Sequence, residues 1–352
     1  MHPSLSQPSS LLRRDDGCAM DLEHGIAVVQ HWLNELPLAD DQPLGDLLDR
    51  HPIHATDVYR MGRNLSHPNE WQTGEIACSG QALLAEIKAG RLVVIVRDVA
   101  NHDDFTDAIV QRLFQELSSC APILRPSQPS TDLVLASPSA MIYFNIDQRP
   151  TLRWQLRGSH AISTYPKTHD VVDAVSLQDI VLDGTGTGLY YEPEMSREAQ
   201  TYLIEAGQMI SLPHGTPYHI DAHDELCVWL QTSFHTPQSI RQAKVFATNR
   251  RLRPVVPQFA SDASTHGCWS SLKCGVATAF GWPQQQATQK YDKNNPRHQP
   301  TFRVTSTHDR DTRSTDSHLT RSRSTESNLC LPIAGTMAGS LFDFPTHVVS
   351  EI

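Results

Sequence analysis

Between residues 133 and 235, seven short runs rich in leucine, β-branched and aromatic residues follow one another: LVLA, MIYF, LRWQL, AISTY, TYLIEA, QMISL and LCVWLQTSF. Turn residues separate them, and one long insertion, 166–199, interrupts the series. Each run is shorter than an ordinary globular helix. Many short strands at close spacing bury their apolar faces only by stacking or by closing on themselves, which restricts this part of the chain to a sandwich or a barrel.

The flanks differ in kind. Residues 1–20 are polar, with Pro and Ser, and read as disordered. Leu22 to Leu36 carries apolar residues at 22, 26, 29, 33 and 36, a helical period that stops at Pro37. Residues 44–49 offer a second short helix, and 50–75 read as loop with room for one strand. Ser79 caps a helix running to about Ala89, Gly90 ends it, and LVVIV at 92–96 is a buried strand. Asp103 or Asp104 caps a helix with the stripe Phe105, Ile109, Val110, Leu113, Phe114 and Leu117. After the strand-rich region, Thr236-Pro237 opens a helix to about Arg253 whose basic residues form a solvated face. From about residue 283 the chain is Gln, Ser, Thr, Arg and Asp without an apolar period, a composition that cannot offset chain entropy. The organisation expected is a disordered amino terminus (1–20), a helical and strand extension (21–132), a barrel (133–235), a helical segment (236–275) and a low-complexity tail (283–352).

The formal charge of −10 argues against a dedicated nucleic-acid binder, which needs a clustered positive field. Seven scattered cysteines without C-x-x-C spacing read as reduced thiols of a cytoplasmic protein. No stretch approaches the roughly 18 consecutive apolar residues of a membrane span. The amino terminus also lacks the apolar core of an export signal. Gly184-Thr-Gly186-Thr-Gly188 lacks the strand-before, helix-after setting and the Lys of a phosphate loop, and reads as a flexible insertion.

The candidate chemistry lies in MIYFNID. Residues two apart on a strand share a face, so Asn145 and Asp147 together form half of a potential metal site. A carboxylate suits that role and a carboxamide suits it poorly. Downstream come Gln155-Leu156-Arg157-Gly158-Ser159-His160, and later Ala206-Gly207-Gln208, MISL, Pro213 and HGTPYHID. In order and spacing these blocks resemble the cupin-like, JmjC-type family of 2-oxoglutarate and iron(II) oxygenases. That family carries His-x-Asp on one strand, Gln-x-x-Gly-x-Lys at the end of the next, and Pro-Gly-Asp, strand, Ile-Pro and a second His later. The upstream run GQALLAEIKAGRLVVIVRDV and the downstream TSFHT with its following helix extend the likeness over about residues 25–275.

The resemblance implies a mainly β fold with flanking helices, a double-stranded β-helix or jelly-roll barrel. It places the family's metal triad on Asn145, Asp147 and Tyr218, and its 2-oxoglutarate-binding Lys on His160, with Arg157 as a second candidate for a 2-oxoglutarate or other anion contact. Only one of three expected ligands is retained, and a second-sphere change alone typically costs about 10–100-fold in metal affinity. A bulge that turned His219 inward would supply a substitute imidazole, with His160 or His214 completing the set. Two functions follow from the resemblance. One is a non-catalytic relative with no iron or weak iron, binding a small molecule, a peptide or a protein. The other is an atypical iron(II)- and 2-oxoglutarate-dependent hydroxylase, with Asp147 as its catalytic carboxylate, acting on a protein or small-molecule C–H. Barrels of this kind also pair through their flanking helices, which allows a homodimer.

Overall fold

The computed structural model describes residues 10–13, 22, 25–62, 64–66, 71–121, 125–167, 171–183, 189, 191–223, 225–255, 268–279 and 300–306. The glycine-rich 184–188 segment and the apolar 329–344 patch lie outside them. The elements run β1 (Ala27–Gln30), α1 (Asp41–Arg50), β2 (Thr56–Arg60), β3 (Gln72–Ile76), α2 (Gly80–Ala89), β4 (Leu92–Val96) and α3 (Asp104–Cys120). The strand-rich region follows with β5 (Ser127–Ala136), β6 (Met141–Ile146), β7 (Thr151–Arg157) and β8 (Ser159–Thr164). Next come α4 (Ala174–Asp183), β9 (Gln200–Glu205), β10 (Gln208–Leu212), β11 (Pro217–Ala222) and β12 (Cys227–His235). The last are α5 (Pro237–Leu252), α6 (Cys268–Ala279) and β13 (Phe302–Val304).

Strands β5 to β8 change sheet at each step, as do β9 to β12. The larger sheet has the order β1-β10-β7-β12-β5-β4-β2-β3-β13, and the smaller has β6-β11-β8-β9. Within the larger sheet β10, β7, β12 and β5 are contiguous, so two four-stranded halves, each antiparallel throughout, make a double-stranded β-helix. Period-two alternation sorts the side chains. Val134, Ile210, Leu212 and Trp229 meet Tyr143, Ile162, Tyr218 and Ile220 of the facing sheet. The opposite face of the larger sheet, with Leu133, Leu135, Leu152, Trp154, Leu156 and Leu230, joins a core with Leu83, Ile87, Leu113 and Leu117 of α2 and α3. Burial on both faces explains why residues 151–156 of β7 are all buried, polar ones included.

The helix starts follow their capping residues. Ser79 accepts from the Ala82 amide, Asp103 from the Thr106 amide, and Thr236 with Ser239 closes a capping box ahead of α5. Elsewhere the extension departs from its sequence pattern. The helical period of Leu22–Leu36 gives way to β1, which pairs with β10 from Ala27↔Ser211 to Gln30↔Gln208, and to a 3-10 turn at Leu33–Glu35. The β-branched Val28 and Val29 suit a strand, and the edge of β10 supplies the partner. The stretch 50–75 holds two strands, β2 and β3, rather than one.

Both ends read as disordered from composition contain anchored segments. Leu11 and Leu12 are buried, and their amides donate to the Glu116 carboxylate of α3 at 2.9–3.0 Å. Phe302–Val304 pairs in parallel with β3. Burial works against ionised Glu116, but the two amides, the Ser10 hydroxyl and Arg112 outweigh it and hold the pKa below the ordinary value. Because the folded pKa is depressed, this stabilisation is present above the unfolded carboxylate pKa and is lost as pH falls through the folded one. Glu116→Gln is therefore expected to lower stability by about 1.5–3 kcal/mol at neutral pH, read as a drop in denaturation midpoint that narrows in acid. A pH-independent difference would rule out the charge as the cause.

Candidate functional site

Strands β6 and β11 are direct neighbours, and their register places Tyr218 opposite Asn145. Asp147 follows β6 immediately. The third participant comes from across the barrel. On β7, Leu152, Trp154 and Leu156 belong to the core shared with the helices, so Arg153 and Gln155 take the alternate face, toward the barrel interior.

Asp147 joins these groups. Its Oδ2 accepts from Arg153 Nη2 at 2.8 Å and its Oδ1 accepts from the Tyr218 hydroxyl at 2.8 Å. The Arg153 guanidinium lies 4.4 Å from the centre of the Tyr218 ring. Arg153 is wholly buried, Tyr218 nearly so, and the Asp147 side chain keeps 16% of its exposure. Burial works against the charged guanidinium, but the Asp147 carboxylate and the Tyr218 oxygen outweigh it and push the Arg153 pKa up. Burial pushes the Tyr218 phenol up; Arg153 opposes this and Asp147 reinforces it, so the phenol keeps its proton and donates.

These residues do not fit an iron(II) ion. Both carboxylate oxygens of Asp147 already accept hydrogen bonds, and Asn145 Oδ1 accepts from the Ile146 amide at 2.9 Å. A protonated phenol is a poor ligand, and the guanidinium brings a positive charge to the position where the resemblance expects a cation. Two unit charges 4 Å apart repel by about 4 kcal/mol at an effective dielectric constant of 20, and a divalent ion roughly doubles that. Among the described residues no cluster of three or more His, Cys, Asp and Glu has a metal-holding arrangement.

Of the other sequence candidates, His219, His214 and Arg157 are engaged elsewhere, and His160 lies inside the barrel beside Trp229. A register shift does occur between Tyr218 and Ile220, yet it leaves His219 bonded through Nδ1 to the Tyr165 hydroxyl at 2.7 Å and through Nε2 to Asp221 at 3.1 Å. His214 ties Gln242 of α5 to the Gln148 carbonyl. Arg157 pairs with Asp41 at the start of α1 at 2.6 Å. Trp154 packs beside His31 on the helix side of the sheet, away from the barrel interior. Gly158 sits at φ +72 in the β7–β8 turn, where a Cβ would come 2.6 Å from the Leu226 carbonyl; its place in the Gln-x-x-Gly motif is a backbone requirement. His160 is buried with its ring centre 5.3 Å from that of Trp229, and its pKa is pushed down to about 3 by burial, then by Arg153 and His223. A cleft of about 700 Å³ between α3 and the start of β5 includes none of these residues.

The fold is the jelly roll of the cupin and JmjC-type proteins. None of the family models and none of the curated proteins compared with the chain matches it. Solved structures similar to it include ycfD of Escherichia coli, with TM-score 0.43 and 14% identity over 75% of this chain and 66% of that one. They also include the E. coli ribosomal oxygenase YcfD in complex with cobalt and succinic acid, with TM-score 0.41 and 15% identity over 74% of this chain and 64% of that one. The complex of YcfD with cobalt and 2-oxoglutarate has TM-score 0.40 and 14% identity over 75% and 64%. The chain thus spans about two thirds of the length of these structures. At such scores the strand order, not the likeness, carries the fold.

Arg153 is the residue that sequence reasoning missed. It lies in the middle of a strand with apolar neighbours on both sides, and a charge buried there needs a partner inside the barrel. That signal was present, but nothing local identifies the partner as Asp147.

Proposed function

We propose that this chain is a metal-free relative of the jelly-roll oxygenases, in which a buried guanidinium stands in place of the iron and the barrel binds a ligand or partner without oxidising it. The observation that carries this reading is the double occupation of Asp147, by Arg153 on one oxygen and Tyr218 on the other. The retained carboxylate of the family's His-x-Asp position then neutralises a fixed cation of the chain itself. Each of its oxygens is engaged by a donor of the chain itself. The hydroxylase reading keeps only the architecture, and a shared fold hosts many chemistries.

The two readings make opposite predictions for iron. Protein purified anaerobically and equilibrated with iron(II) and 2-oxoglutarate is expected to retain far less than one iron per chain after desalting, and to release no succinate above a no-protein control on admitting oxygen. Stoichiometric iron with succinate release abolished by Asp147→Ala would establish the hydroxylase and overturn this proposal.

No helix of the described residues is long and apolar enough to cross a membrane.

A further inference from the structure

Inside the barrel six polar atoms on four buried side chains have no hydrogen-bond partner among the described residues: Arg153 Nε and Nη1, Gln155 Oε1, His160 Nδ1 and Nε2, and Trp229 Nε1. They form one group. Arg153 and Gln155 share a face of β7, Gln155 is paired with Trp229 across the sheet, and the Trp229 and His160 rings lie 5.3 Å apart. Buried polar atoms in native proteins are nearly always paired, so an interior cluster of this size points to an occupant. Its chemistry follows from the unpaired atoms: the N–H groups of Arg153, Trp229 and one nitrogen of His160 outnumber the acceptors, Gln155 Oε1 and the other His160 nitrogen.

We propose that the barrel interior binds a small carboxylate, which accepts hydrogen bonds from Arg153, Trp229 and His160 with no metal beneath it. This rests on the reading of Arg153 as the replacement for the metal. A singly charged carboxylate, held by the free N–H groups of Arg153, costs less to bury than a multiply charged oxyanion, because Asp147 already offsets part of the guanidinium charge. Complete burial of the four side chains restricts the ligand to a small one, and the partly exposed Asp147 marks the end of the site nearest solvent.

The test is a titration of the full chain with sodium formate and sodium acetate at constant ionic strength, with chelator present, read by intrinsic fluorescence and by melting temperature. Saturable binding with a rise in melting temperature is expected. Trp229→Phe, which keeps a packed ring and removes the N–H, is expected to weaken binding by about 10-fold or more, the worth of a hydrogen bond to a charged group. His160→Phe should do likewise. No saturable response of the unmodified protein to either carboxylate overturns the proposal, and so does a preference for inorganic phosphate. Trp229→Phe and His160→Phe both titrating as the unmodified protein also overturns it. A response that appears only with iron(II) added refutes the metal-free reading, whereas no response in a protein that also binds no iron refutes the carboxylate alone.

Discussion

Arg153→Met is expected to cost about 3–5 kcal/mol of folding stability, because it leaves the Asp147 carboxylate in the barrel without its cation. Asp147→Leu should be similarly damaging, since it strands a guanidinium that has no exposure at all. Removing both partners is a different experiment. Arg153→Met with Asp147→Leu replaces an ion pair by apolar groups, which is often near neutral, so the double variant should recover most of what either single variant loses. Equilibrium denaturation of all four proteins completes the cycle and isolates the coupling between the pair. Additive losses would mean that the two side chains do not act as a unit, and losses near zero for the single variants would remove the basis for a buried charge pair.

The second large effect concerns metal binding. Restoring the imidazoles with Asn145→His and Tyr218→His should give little iron(II) affinity while Arg153 remains, because the guanidinium still holds Asp147 and still repels a cation. Adding Arg153→Leu should release both constraints and raise affinity by at least about 100-fold, given that lesser second-sphere changes alone are worth about 10–100-fold. Anaerobic iron(II) titration of the double and triple variants, with circular dichroism to verify folding, measures the difference. Equal affinity in the two would show that Arg153 is not what keeps the ion out.

Much of this architecture was legible from local chemistry. Ser79, Asp103 and Thr236 announce three helices through donors and acceptors within a few residues of themselves. The short runs between 133 and 235 announce a sandwich or a barrel by length and spacing, and the motif resemblance selects the barrel. Where partners are remote, the reading failed. Leu22–Leu36 has a helical period, yet the unpaired edge of β10 draws Ala27–Gln30 into a sheet. Leu11 and Leu12 lie in a polar stretch, yet Glu116, over a hundred residues away, captures their amides. Phe302–Val304 found an edge on β3 in the same way.

The site divides along the same line. By itself the sequence determined that two imidazoles of the resembled triad are absent, and that Asn145 and Asp147 occupy alternate positions of one extended segment, because strand parity is a local property. Parity also put Arg153 opposite in sense to Leu152 and Trp154. It did not say which of those faces the barrel would enclose. Only the closing of two sheets over one interior brought the guanidinium of β7 onto the carboxylate after β6 and the phenol of β11. That convergence decided what Asp147 does, because a buried carboxylate takes its role from the charge placed against it.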